Sequence, residues 1–343
     1  MRTFQADTLT ELHDLMCRTL VEAKPEELDV ISTVDVQIHN VVAQADSMDW
    51  DFDLKSMWLT KSRWSMMARQ YIEPQELEAW IDTITSKIGT KGRGIAVMRT
   101  KNVKPRGGAA TGHTNKETRR WGSCMLAISY KAKPRPQITL YSRTSYLGYI
   151  GALDLTVAWM CAKYLGQAMG LEPKDFQFVW FNEAIQWHNF KSLAFLLNHP
   201  DKKSRKKFRR LMMKSDAKLK PEELEQLEQS PGLQLSRKWL AKVIAEDKKG
   251  VTYGDMNYNT YRRIRRRWHT EVHGFEFAQQ FEGWSYYKQG EKKGEKKEFF
   301  KAYPELPHVH VTTLDFSPLK MSESALAGME YSGGGLEDDD DDE

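Results

Sequence analysis

CMLAISYKAKPRPQITLYSRTSYLGYIGALDLTVAWMCAKYLGQAMGLEPKDFQFVWF, residues 124–181, is the stretch that decides the fold. CMLAISY at 124–130 and QITLY at 137–141 are short runs rich in β-branched and aromatic residues, as strands are. The intervening KAKPRP joins them as a hairpin. DLTVAWMCAKYLGQAM at 154–169 is almost wholly apolar, which predicts a helix with no solvent face, buried between layers. FQFVWF at 176–181 returns to strand chemistry.

Outward from this stretch the same alternation continues. TLTELHDLMCRTLVEA at 8–23 sets Leu9, Leu12, Leu15, Met16 and Leu20 near helical spacing behind a capping Thr8. VDVQIHNVV at 34–42 alternates like a strand, whereas residues 46–59, rich in Trp and Asp, take no clear assignment. ELEAWIDTITSKI at 76–88 is an amphipathic helix with Leu77, Trp80, Ile81, Ile84 and Ile88 on one face. GIAVM at 94–98 and VHVTTLDF at 309–316 read as further strands. Strands interleaved with helices make the chain α/β, or α+β.

The 343 residues suffice for one large domain or two ordinary ones, and 40% apolar against 29% charged is a globular balance. Apolar runs fall far short of the ~20 residues of a membrane span. Met1 to Leu12 carries acids and no hydrophobic core segment, so no signal peptide is expected. Cys17, Cys124 and Cys161 are too few and too unevenly spaced for a disulfide framework or a zinc site. These features predict a soluble protein of a reducing compartment, the cytoplasm.

The net charge of +4 hides an asymmetry: Glu337–Glu343 contributes −7, so the rest of the chain carries +11. A basic body suits polyanions. The acidic run, preceded by SGGG at 332–335, reads as a disordered solubilising end, with a docking or self-shielding role as the alternative. Residues 200–220 hold ten Lys or Arg against two acids, and RRIRRR follows at 262–267. Both are solvated basic faces or contacts to nucleic acid or replication proteins through phosphate charges. Tyr258, Tyr261 and Trp268 keep base stacking available.

Candidate chemistry centres on Cys124. It follows a polar loop at 101–122 that contains Arg119 and Arg120, and a thiol beside cations has a lowered pKa and can act as a nucleophile. Alone, such a cysteine is more often an inert core residue. Beyond it come Leu140-Tyr-Ser-Arg143-Thr-Ser145 and then Asp154, which suits either a helix cap or a ligand contact.

From about Gly89 to Phe190 the chain resembles the thymidylate synthase and deoxycytidylate hydroxymethylase family, in the form found in DNA viruses of bacteria that carry modified pyrimidines. There a nucleophilic cysteine is followed by a strand ending Leu-Tyr-Gln-Arg-Ser, a Leu-Gly step and a helix opening with Asn or Asp. The resemblance implies a large mixed sheet packed with helices and a homodimer. It implies covalent catalysis by Cys124 at position 6 of a pyrimidine deoxynucleotide, with 5,10-methylenetetrahydrofolate donating one carbon to position 5. Arg143 would hold the phosphate with help from Ser145, and Arg93 would reach the partner's phosphate. Asp154 would read the base: in this pattern Asn goes with uracil and Asp with the amino edge of cytosine. Glu73 is the candidate general base, and Lys61, Arg63 and Trp64 loosely match a substrate-adjacent segment.

The resemblance is incomplete. Gln186 and His188 stand in for a His-x-Tyr pair that contacts the sugar, Ser142 replaces a glutamine, and Gly148 falls two residues early. The expected organisation is a single domain over 1–331, with a catalytic half at about 89–190, a basic helical insertion at about 200–270 and an acidic tail at 332–343. The leading expectation is hydroxymethylation of dCMP. Alternatives are a methylating enzyme of dUMP or dCMP, a non-catalytic nucleic-acid or replication-complex binder on the same fold, or the same chemistry on a polynucleotide.

Overall fold

A computed structural model describes residues 1–32, 35–51, 71–72, 74–88, 95–99, 124–188 and 192–246. The expectations for Lys61, Arg63, Trp64, Glu73, Arg93, the loop at 101–122, RRIRRR, the strand at 309–316 and the acidic run lie outside the described residues. The described chain is a mixed α/β structure built on a seven-stranded sheet.

Strand β1 (Arg2–Thr8) runs directly into α1 (Leu9–Glu22), and the Thr8 hydroxyl accepts from Glu11 N at 3.2 Å, as its capping position predicts. Next come β2 (Val30–Ile31), β3 (Asp35–Ser47), α2 (Pro74–Thr83) and β4 (Ile95–Arg99). The stretch that opened the reading forms β5 (Met125–Lys131), β6 (Gln137–Tyr146), α3 (Ala152–Met169) and β7 (Gln177–His188). Four helices follow: α4 (Leu193–Asn198), α5 (Lys202–Met213), α6 (Pro221–Gln229) and α7 (Pro231–Glu246).

The strand order is β1-β3-β7-β6-β5-β4, with β2 on β3 beside β1. β5 and β6 pair antiparallel across the predicted hairpin. β6 and β7 are parallel, which demands a crossover, and the apolar α3 supplies it. The absence of a polar stripe on α3 is explained: twelve of its residues, from Ala152 to Gly166, are buried.

One face of the sheet carries the core. Ile138 and Leu140 of β6, Phe178 and Trp180 of β7, and Leu9, Leu12 and Met16 of α1 are all buried in one cluster. On the other face Ile95, Val97, Leu126, Tyr141 and Phe181 are exposed, and the Tyr141 and Phe181 rings stack at 5.5 Å.

Three adjacent strands turn over together at one level. Ile38 and Val41, Ser142 and Ser145, and Asn182 and Ile185 are all buried, although an odd step separates each pair and a regular strand would expose one member. Asn40, on the same level, has φ 53°, and β5 shifts register between Met125 and Ala127. The pairing of β3, β7 and β6 continues in unchanged register across this kink. The strands therefore bulge in concert, which re-aims the side chains beyond residue 143.

The basic helices pack on the same core. Trp187 donates from Nε1 to Ser236 Oγ of α7 at 3.1 Å. Asp14 of α1 accepts from Arg18 Nε at 2.6 Å and also pairs with His199, while Arg18 reaches Ser204 of α5. His13, fully desolvated, bonds Leu147 O at 2.8 Å and so ties α1 to the turn that leads into α3.

Candidate active site

The kink gathers the candidate residues at one end of the sheet. Because β6 and β7 are parallel, the ends carrying Arg143–Tyr146 and Gln186–His188 lie side by side, in register at Tyr146 and Gln186. Cys124, at the start of the antiparallel β5, arrives at the same end, and its carbonyl accepts from Arg143 N at 2.7 Å. Crevices at the carboxyl ends of parallel strands are the usual ligand sites of open α/β sheets.

Consecutive residues of β6 serve two different groups. Thr144 donates from Oγ1 to Cys124 Sγ at 3.6 Å. Ser145, turned the other way, donates from Oγ to Asp154 Oδ2 at 2.7 Å. Asp154 sits inside the first turn of α3, whose N-cap is Gly151, so the capping role is excluded. It is fully buried, and among the described residues its Oδ1 has no hydrogen-bond partner. Burial pushes the carboxyl up to about 8, opposed only in part by the Ser145 hydrogen bond, so the group is mostly neutral at pH 7.

One expectation is corrected. The Cys124 thiol is raised, not lowered: desolvation dominates, the nearby Asp154 adds to it, and Thr144 and Arg143 recover only part. The cations named for it, Arg119 and Arg120, lie outside the described residues, and the one that acts on the thiol, Arg143, is outweighed by burial. Ser145 was expected to assist at a phosphate. Its hydroxyl donates to Asp154 Oδ2, so it belongs to the Asp154 side of the site.

Arg143 is exposed, and its side chain hydrogen-bonds the Cys124 thiol. His188 is buried with its ring edge-on to Tyr146 at 5.7 Å, and Gln186 donates to Gln37 Oε1 at 2.6 Å. Both lie on β7 itself, which runs to His188 and not just to Phe181. Ser142, where the resemblance has glutamine, accepts from Trp180 Nε1 at 2.9 Å. The structure thus brings Cys124, Arg143, Ser145 and Asp154 together, with Gln186 and His188 on the adjoining strand.

Sequence reasoning missed Tyr71. This buried phenol is held well above its ordinary range by desolvation and by the nearness of both Asp154 and Cys124, so it stands beside both reactive groups. Its signal, a lone aromatic two residues before Glu73, was too weak to read. A cavity of about 760 Å³ lies elsewhere, between the end of α5 and helices α6 and α7, lined in part by Lys214, Leu227 and Arg237. Among the described residues no three His, Cys, Asp or Glu cluster as metal ligands, and no helix is long and apolar enough to cross a membrane.

No protein-family model matches the sequence, and no curated protein matches it. Among solved structures the chain is similar to thermostable thymidylate synthase A from Bacillus subtilis, at 7% identity and a TM-score of 0.35, over 57% of this chain and 84% of that one. A likeness at that level carries no residue-by-residue correspondence.

Proposed function

We propose that this protein modifies position 5 of a pyrimidine deoxynucleotide by covalent catalysis from Cys124, with dCMP as the substrate and 5-hydroxymethyl-dCMP as the product. The observation that carries the reading is the unpartnered Oδ1 of Asp154, a buried polar atom in a carboxyl kept neutral next to a thiol. A neutral carboxyl offers one donor and one acceptor side by side, which pair with the N3 acceptor and N4 amino donor of cytosine. What favours cytosine over uracil is the acidic proton, which only an unprotonated N3 can take up.

On this reading Cys124 Sγ adds to C6, which converts C5 from a poor nucleophile into an enamine carbon. The Asp154 proton moves toward N3 as negative charge builds on the ring. Arg143, through a bidentate fork, holds the phosphate dianion outside the buried pair. Gln186 and His188 face the sugar from β7. Thr144 steadies the sulfur, and elimination of Cys124 restores the aromatic ring. No protein side chain supplies a carbon unit, so a donor is required; 5,10-methylenetetrahydrofolate, implied by the sequence resemblance, would bring it at the formaldehyde oxidation level. Glu73 and Arg93 keep their proposed roles as general base and cross-dimer phosphate ligand.

A homodimer fits the exposed apolar side chains Ile95, Val97, Leu126, Tyr141 and Phe181 on this face of the sheet, since clustered apolar surface marks association. Sedimentation of the wild type and of Phe181→Lys tests it: a monomeric wild type removes the dimer and, with it, the role of Arg93.

The decisive assay is tritium release from 5-tritiated dCMP and dUMP with methylenetetrahydrofolate. Release from dCMP, abolished in Cys124→Ala, supports the reading, and product mass separates hydroxymethyl from methyl. Absence of release from both, together with salt-sensitive DNA binding, would replace the enzyme with a nucleic-acid-binding protein on this fold.

A further inference from the structure

The seven bases of α5 divide into two groups. Four are held by the fold: Arg205 donates to His199 O at 2.9 Å, Lys207 to Glu22 Oε1 at 3.0 Å, Arg209 to Leu197 O at 2.6 Å and Arg210 to Glu223 Oε2 at 2.8 Å. The other three, Lys202, Lys203 and Lys206, are exposed on one ridge of the first two turns and form no ion pair among the described residues. The adjacent acid, Asp201, is engaged as the helix cap, accepting from Ser204 N at 2.7 Å.

This arrangement works against the helix. Lysines at its start face the positive end of the backbone dipole, which the single acid at the cap, Asp201, offsets only in part. Like charges three and four residues apart repel by a few tenths of a kcal/mol per pair. The ridge is therefore an uncompensated cationic surface, and an anion bound there would relieve both terms.

We propose that its occupant is this chain's own acidic run, Glu337–Glu343. That run holds seven consecutive acids and no base, the complement of the ridge in sign and density. Residues 247–336 connect it to the end of α7, and at up to ~3.3 Å per residue they reach any face of the molecule. Because the run and the ridge belong to one chain, their contact is intramolecular and is favoured over that of a free polyanion. The docked run screens the ridge from phosphate-bearing molecules until salt or a stronger competitor displaces it.

The test couples carboxylates to lysines at zero length with a carbodiimide in the full-length protein at low salt, mixing ¹⁴N- and ¹⁵N-labelled chains to separate intramolecular from intermolecular links. Acids of 337–343 are expected to join Lys202, Lys203 or Lys206 within one chain at least tenfold more often than the exposed hairpin lysines Lys131 and Lys133, with the excess lost at 0.5 M salt. A second readout uses a labelled single-stranded oligonucleotide. Deleting 337–343 should tighten its binding at least tenfold, and the gain should vanish in Lys202→Gln/Lys203→Gln/Lys206→Gln, whose unchanged melting would show an intact fold. Links spread evenly over exposed lysines, or concentrated within 247–320, overturn the proposal. Oligonucleotide binding through the ridge that is indifferent to the deletion overturns it too, and makes the ridge a nucleic-acid surface.

Discussion

Ser145 and Asp154 share a hydrogen bond of 2.7 Å that leaves half of a buried carboxyl without a partner. A buried polar atom lacking a hydrogen bond costs roughly 1–3 kcal/mol, so it persists where something outside the fold gives a return. Here the strand that delivers Ser145 to Asp154 delivers Thr144 to Cys124, since successive residues of a strand face opposite sides.

Stability should therefore fall with rising pH on account of Asp154. Its pKa is 3.8 in model peptides and about 8 in the fold, so between these values the folded protein holds a proton that the unfolded chain has lost. The contribution is whole below about pH 4 and declines by about 1.4 kcal/mol per pH unit until about pH 8. His13 works oppositely: burial lowers it, so its own effect is a loss of stability as pH falls below 6.5. Urea midpoints of wild type and Asp154→Asn at pH 5, 6, 7 and 8 isolate the term. The wild type should lose stability relative to the variant as pH rises, and parallel curves would refute it.

Asp154→Asn should also redirect substrate choice. An amide keeps a donor and an acceptor but can rotate to present them to uracil, and it cannot pass a proton to N3. Tritium release should shift from dCMP toward dUMP by at least tenfold in their ratio of kcat/KM. An unchanged preference for dCMP would remove Asp154 as the base reader while leaving Cys124 untouched.

Alkylation should single out Cys124. Cys17 and Cys161 are buried at 0% and 1% exposure, whereas Cys124 is half-buried. The Cys124 rate with iodoacetamide should rise with a midpoint above that of an ordinary thiol, because desolvation and Asp154 oppose the thiolate. Arg143→Gln should move the midpoint up and Asp154→Asn should move it down, since the two neighbours act with opposite sign. Both variants shifting in one direction would contradict the arrangement. Peptide mass analysis across pH 7–10 reads all three.

Much of this was legible in the sequence, and for definite reasons. The hairpin, the buried crossover helix and the strand after it follow from composition and period, which burial on both sides of α3 enforces. β1 went unread because Arg2–Thr8 alternates polar residues at the sheet edge, where only Phe4 is buried among those seven. The length of β7 went unread because the kink at Glu183 breaks its alternation. At the site, the family resemblance implied the grouping of Cys124, Arg143 and Asp154 but not the electrostatics around them. Whether Arg143 or burial governs a thiol depends on depth in the fold, which spacing along the chain does not encode.

The turn before α3 offers the sharpest mechanical test. Leu147–Gly151 forms a π-helical turn, and a Cβ added at Gly148 would lie 2.5 Å from Ser192 Cβ and 2.8 Å from Trp187 Cζ3. Neither neighbour can yield easily, since Trp187 is fully buried and tied to Ser236. Gly148→Ala should cost about 1–3 kcal/mol through overpacking. Gly170, at φ 70° with nothing near its missing Cβ, gives a contrast: Gly170→Ala should cost roughly 1–2 kcal/mol through backbone strain alone. Ser192→Gly removes one of the two clashes at Gly148, so urea titrations of the double variant should recover part of the Gly148→Ala loss. The same partner should leave Gly170→Ala strictly additive. Because the turn sets the position of Asp154, Gly148→Ala should also shift the Cys124 alkylation midpoint, whereas Gly170→Ala, at the far end of α3, should leave it in place.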